Sequence, residues 1–167
     1  RQNLTDNTLL IITSDNGAQV TDYYGKSWGH KANGDLRGQK ADIWEGGHRE
    51  PFIVRWPDQV AAGRTSNQLV CLGDLMATCA AIIGTGLPDN TGSDSINILP
   101  IMKGCEKPMR DTLVHHSGDG LFSIRRGPWK LIKGLGSGGF SKPVHLEPQP
   151  GDPAGQPQAR LQCRRLA

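Results

Sequence analysis

Residues 8–17, Thr-Leu-Leu-Ile-Ile-Thr-Ser-Asp-Asn-Gly, constrain the fold of this chain more than any other stretch. Residues 9–12 form an unbroken apolar run, β-branched at its end, which halts in four turn-forming residues. A run this short and apolar on both faces predicts a central strand of a parallel sheet covered by helices. Open α/β sheets bind ligands at the carboxyl ends of their strands, where Asp15 and Asn16 fall. A carboxylate and an amide carbonyl are hard oxygen donors of the kind Ca²⁺ or Mg²⁺ takes. Gly17 permits a sharp turn that aims both side chains at one point. The same residues also satisfy a plain tight turn, because Asn-Gly is a strong turn dipeptide, and on this stretch alone both readings stand.

The rest of the composition narrows the class. The chain has 167 residues, enough for one medium domain, but 22 glycines and 11 prolines make much of it loop. Nineteen basic against 16 acidic residues leave a net charge of +3, without a dense Lys/Arg run, so nucleic acid is not an expected partner. Arg160, Arg164 and Arg165 read as a solvated basic tip. The cysteines at 71, 79, 105 and 163 show neither a C-x-x-C pair nor zinc spacing. Cys71 and Cys79 fall in an apolar helical pattern and are expected to be buried as small hydrophobes. No apolar run approaches the ~20 residues that span a bilayer. With no initiator methionine or signal peptide and a strand so soon after Arg1, the chain reads as a fragment lacking its N-terminal part.

In chain order, residues 1–7 read as the end of a helix or its loop. Residues 18–37 form a long polar loop with Tyr23, Tyr24, Trp28 and His30, of the length usually reserved for function. Residues 52–57 predict a second strand ended by Pro57. Ser66 or Asn67 can cap a helix running to about Ile83 and stopped by Gly84. Its stripe of Leu69, Leu72, Met76, Cys79 and Ile83 should be buried, with Asp74 off the stripe, either solvated or a structural hydrogen-bonder. A short helix over 98–103 should end at Gly104. Residues 112–116, 121–125 and 129–132 read as three strands of an antiparallel meander. Residues 134–159 are Gly/Pro-rich loop. The expected fold is therefore α/β: part of a mostly parallel central sheet flanked by helices, followed by a small antiparallel C-terminal subdomain. The expected division is 1–110 as α/β core, 111–135 as the small subdomain, and 136–167 as loop with a disordered or aberrant tail.

Three separated motifs now stand together: Ser-Asp-Asn-Gly at 14–17, Lys-x-x-x-x-Glu-Gly-Gly at 40–47, and Arg-x-Pro at 49–51. In this order and spacing they resemble the C-terminal half of the sulfatase family, in the alkaline-phosphatase-like superfamily. The Asp-Leu-Met-Ala-Thr segment from Asp74 and the Arg-x-Gly-x-Trp-Lys-Leu-Ile segment from Arg125 are similar to that family too. The resemblance implies that Asp15 and Asn16 are two ligands of a divalent cation, Ca²⁺, and that Lys40 reaches a sulfate oxygen of a sulfate ester substrate. A metal and an ammonium would both stabilise charge that grows on the ester oxygens as the S–O bond breaks. Taken without its motif, Lys40 would read as an ordinary solvated lysine. Glu45, Gly46 and Gly47 are read as structural, Glu45 fixing the loop that aims Lys40. Arg37 and Arg49 are either ion-pair partners of that loop or surface charges. His30 and His48 are placed at the pocket mouth, and His115 or His116 is a candidate to hydrogen-bond the substrate.

The family's nucleophile, a formylglycine made from the first residue of Cys/Ser-x-Pro-x-Arg, has no counterpart here. None of the four cysteines begins that motif, and Ser141-Lys-Pro-Val-His145 has His in place of Arg. The family's paired aspartates are absent as well. Two oxygen ligands are part of the six to eight that Ca²⁺ takes, and a covalent route needs its nucleophile. The chain alone is thus expected to be inactive and to need the missing N-terminal half of the same protein. The family implies export to the periplasm or outside. The alternatives are a metal-dependent phosphohydrolase of the same superfamily, against which Asp-Asn in place of Asp-His argues, and a non-catalytic remnant. The tail from Pro157 is read as carrying no fold.

Overall fold

Two short antiparallel sheets organise the chain. The computed structural model describes residues 4–20 and 28–141, and the backbone of 161–165. Tyr23, Tyr24 and most of the Ser141–His145 motif lie outside the described residues. In chain order the elements are β1 (Leu10–Thr13), α1 (Glu45–His48), β2 (Phe52–Arg55), α2 (Asp74–Ile82), α3 (Leu99–Met102), β3 (Thr112–His116), β4 (Phe122–Arg126), β5 (Trp129–Lys133) and β6 (Leu161–Arg165). They fall into two compact units, one of residues up to 13 with 51–111, the other of 14–50 with 112 onward. The predicted 1–110 segment is therefore shared between both units, because loop 14–50 finds its packing partners beyond residue 111.

In the first unit β1 pairs antiparallel with β2, Leu10 opposite Arg55 and Thr13 opposite Phe52. The central parallel sheet expected around β1 is not shown among the described residues, and the strand is not buried on both faces. Among the described residues no third strand joins the pair, and Leu10 and Ile12 are exposed, Ile12 by 52%. A strand apolar on both faces buries only the face that has a partner. Here Leu9, Phe52, Val54, Val60 and Val70 pack on Ile98, Ile101 and Met102.

Helix α2 is shorter than predicted and turned the other way. It starts after Gly73 with no side-chain cap, and its buried residues are Asp74, Thr78 and Ala80, while Ile83 is 75% exposed and Met76 and Cys79 are exposed too. Hydrogen bonds, rather than the apolar stripe, select the buried face. The Asp74 carboxylate accepts from the Cys71 and Ile96 amides and pairs with Arg110. The Thr78 hydroxyl donates to the Asp74 carbonyl and accepts from the Ile98 amide. Asp74 is thus the structural hydrogen-bonder of the two readings. Helix α3 ends at Gly104, whose φ of 98° suits a residue without Cβ.

In the second unit the meander forms as read, β3 at the expected residues and β4 and β5 within one residue of them. The tail expected to carry no fold supplies β6 at its 161–165 portion, antiparallel to β5. An open strand edge offers a backbone ladder that recruits a partner with little regard to side-chain pattern, so a sequence pattern gave no sign of it. The outward face of β3–β5 carries Val114, Phe122, Ile124, Trp129 and Leu131, all exposed. The inward face carries His115, Ser123, Arg125, Lys130 and Ile132.

Candidate functional site

All the predicted site residues lie in the second unit. The turn after β1 places Asp15 in solvent and Asn16 half-buried, with the Asn16 amide donating to the Asp15 carboxylate (3.0 Å). This turn is bound to the segment that carries Lys40. The Lys40 amide donates to the Ala18 carbonyl (3.1 Å), two residues beyond Asn16, and the Gly17 amide donates to the Gly47 carbonyl (3.1 Å). Asn33 closes the set, accepting from the Ala18 amide and donating to the Ala18 and Gly38 carbonyls. Val20 donates to the Gln39 side chain. Side chains are excluded where the two loops touch: a Cβ on Gly17 would overlap the Gly46 carbonyl, and one on Gly47 the Asp42 carbonyl. Lys40 itself is half-buried.

Ala41, next to Lys40, has φ of 71°, a left-handed conformation that costs a Cβ-bearing residue about 1–2 kcal/mol. It is held there because its carbonyl accepts from Gly118 (2.8 Å) and because Ile43, two residues on, donates to Ser137 (2.7 Å). The neighbouring Asp42 is fully buried and accepts from the Gln39 amide and from both the amide and hydroxyl of Ser141. Ile43 and Trp44 pack with Ile132 and Leu121, and the Arg37 guanidinium lies 3.6 Å over the Trp44 ring. Arg49 is exposed.

Glu45 is gripped from the small sheet. Arg125 of β4 pairs with its Oε2 (2.7 Å) and Lys130 of β5 with its Oε1 (3.1 Å). Burial would raise the Glu45 carboxyl, but Lys130, with its hydrogen bond, and Arg125 together hold it below the usual carboxylate range. Lys130 is 2% exposed, and burial lowers its ammonium against the opposing pull of Glu45. His48 packs on His115, ring centroids 4.8 Å apart, inside this joint rather than at a pocket mouth. Burial, then Lys130, lowers His48 to about 4 and His115 to about 3. His116, one residue on, faces the other side of β3; it is exposed, its Nδ1 near the Ser117 carbonyl (3.1 Å) and its ring near Phe122. Glu50 is raised by burial and by the like charges of Asp15 and Glu45.

Sequence reasoning missed Asp42, Arg125 and Lys130. Arg125 and Lys130 were legible only as part of a motif, and a lysine on a short strand carries no sign that its ammonium is buried. For a cation, Asp15 and Asn16 are right in kind and short in number. Among the described residues, no three or more His, Cys, Asp or Glu side chains gather into a metal cage. No helix among them is long and apolar enough to cross a membrane.

Comparison with known proteins gives this geometry its context. The Sulfatase family model matches residues 1–85. An N-acetylgalactosamine-6-O-sulfatase of Bacteroides thetaiotaomicron is 36% identical over 135 residues, covering 78% of this chain and 26% of the relative. Human steryl-sulfatase is 33% identical over 127 residues, 75% of this chain and 22% of that protein. A solved structure from a B. thetaiotaomicron study of glycosaminoglycan metabolism superposes with a TM-score of 0.72 at 35% identity, covering 79% of this chain and 28% of the other. A Pseudoalteromonas sulfatase structure gives 0.63 at 30% identity, over 77% and 25%. The chain spans about a quarter of the length of the curated relatives it matches. With the turn at 14–17, the Lys40 segment and the small sheet all in place, the chain belongs to the sulfatase family.

Proposed function

We propose that this chain supplies part of the site of a sulfuric ester hydrolase acting on an aryl or carbohydrate sulfate. In this reading Asp15 and Asn16 contribute two oxygens to a Ca²⁺ site, and Lys40 holds a sulfate oxygen. The bound cation would neutralise charge on the ester oxygens. Lys40 offers a compact charge suited to a tetrahedral oxyanion. The observation that carries the reading is the backbone link between the two motifs: Lys40 N–H to Ala18, and Gly17 N–H to Gly47, make the acid–amide turn and the lysine segment one packed piece. Alternation along β3 leaves only His115 on the face that packs against this segment, so a substrate contact from His116 would have to come over the end of the strand. The formylglycine motif and the remaining cation ligands would come from further sequence of the same polypeptide, which also completes a parallel sheet beside β1 and carries the signal for export. The names of the relatives, N-acetylgalactosamine-6-O-sulfatase and steryl-sulfatase, support that class.

The test is complementation. The chain alone should not hydrolyse 4-nitrophenyl sulfate with Ca²⁺. Combined with the portion of the Bacteroides relative that this chain does not cover, it should, and Lys40→Ala should then lose about a hundredfold or more in kcat. Equal turnover by Lys40→Ala would remove the lysine from the mechanism. Separately, Ca²⁺ should shift the amide resonances of residues 15–17 in the complemented protein, and Asp15→Asn should abolish the shift.

A further inference from the structure

Five side chains meet where the Lys40 segment lies on the small sheet: Glu45 and His48 from α1, His115 from β3, Arg125 from β4 and Lys130 from β5. Both oxygens of Glu45 are engaged, one by each cation. The two imidazoles pack at 4.8 Å with their planes 44° apart. His48 Nε2 and His115 Nδ1 are buried without a hydrogen-bond partner among the described residues, and so is the hydroxyl of Ser123, which stands opposite His115 in the β3–β4 register.

We propose that His48 and His115 are positioning residues forming an acid-sensitive joint, which holds the Lys40 segment on the small sheet while both rings are neutral and releases it when they are protonated. The consequence for sulfate binding rests on the role given to Lys40 above; the joint itself does not.

Protonation gives each ring a second N–H donor, and among the described residues neither His48 Nε2 nor His115 Nδ1 has an acceptor within reach. Both Glu45 oxygens already accept, from Arg125 and Lys130, and Asp42, the other carboxylate that acts on His48, already accepts from Gln39 and twice from Ser141. An unmatched donor in a buried place carries its full desolvation penalty. The new charges would also oppose those already there: Lys130 acts on both rings and Arg125 on His115, and a charged His48 acts on His115 and a charged His116 on His48. Against them stand, among the described residues, Glu45, which acts on both rings, and Asp42 on His48.

The sign follows from where the protons bind. Docked, the rings titrate at about 4 and about 3; released into water they return to the ordinary value of 6.5. The docked form therefore binds fewer protons. Docking is at full strength above pH 6.5 and weakens as pH falls toward the docked values. Where both rings change state, each pH unit multiplies the released population about a hundredfold.

Amide hydrogen exchange on the full chain, corrected for intrinsic rate, reads the joint directly. The Ile43 and Gly118 amides bond across it, to Ser137 and Ala41. Their protection should fall about a hundredfold per pH unit between pH 6 and 4, while Ile98 of the first unit keeps its protection. His48→Phe or His115→Phe keeps a ring and should reduce the slope to about tenfold; the double variant should be flat from this source. Protection that is flat in the unmodified chain, or a double variant with the unmodified slope, overturns the proposal. If the variants fail to fold, the imidazole proton resonances of the unmodified chain decide: titration near 6.5 with both amides still protected overturns it, and titration below 5 together with their loss supports it. Lys40→Ala should leave this profile unchanged whatever it does to hydrolysis, so the joint and the lysine's role fail independently.

Discussion

The two sheets put their apolar residues to opposite use. In β1–β2 one apolar face is covered by Ile98, Ile101 and Met102, and the other, with Leu10, Ile12 and Ile53, faces solvent. In β3–β5 the larger apolar residues are exposed, and the face turned inward holds Lys130 and Arg125, paired with Glu45, beside His115, Ser123 and Ile132. The difference is one of tolerance. Hydrophobic burial is non-directional and survives small changes of shape, whereas a buried ion pair depends on both partners and on geometry. The Lys40 segment is attached through both, with Ile43 and Trp44 packed on Ile132 and Leu121 and Glu45 paired with Arg125 and Lys130.

The largest expected effect tests that contrast. Glu45→Ala strands the buried Lys130 ammonium and should cost about 3 kcal/mol or more of stability by urea unfolding, whereas Glu45→Ala with Lys130→Met should recover most of it. If the single variant is as stable as the double, the ion pairs do not hold this face. A smaller effect of opposite sign should come from the strained residue beside Lys40. Ala41→Gly relieves a φ of 71° and should stabilise by about 1 kcal/mol, read as a rise in the unfolding midpoint at constant slope. The smallest change belongs to the first unit. Ile12→Thr on the open face of β1 should alter stability by no more than about 0.5 kcal/mol, and a loss of several times that would mean this face is covered in solution.

Much of the local structure was legible in residue order. Gly104 ends α3, the Gly-containing turns set the meander, Gly17 marks the turn after β1, and Gly46 and Gly47 stand where backbone meets backbone. The bury-or-expose pattern was not. Periodicity makes residues 9–12 look covered on both faces and the stripe ending in Ile83 look turned inward, because it reports which side chains are apolar and says nothing of which face has a partner. In α2 the choice went to Asp74 and Thr78, whose hydrogen bonds to the loop at 95–98 are long-range and leave no periodic trace.

The candidate site divides along the same line. Sequence alone determined the chemistry available: an acid and an amide before a glycine, a lysine at a fixed distance before Glu-Gly-Gly, and the family these motifs mark. Such short motifs are legible because their chemistry depends on residue type and close spacing. Only the tertiary structure decided which charges are buried together. Glu45 meets Arg125 and Lys130 across 80 and 85 residues, and His48 meets His115 across a shorter but still long-range gap. The desolvation that makes such groups costly and sensitive to pH exists only once distant strands have closed over them.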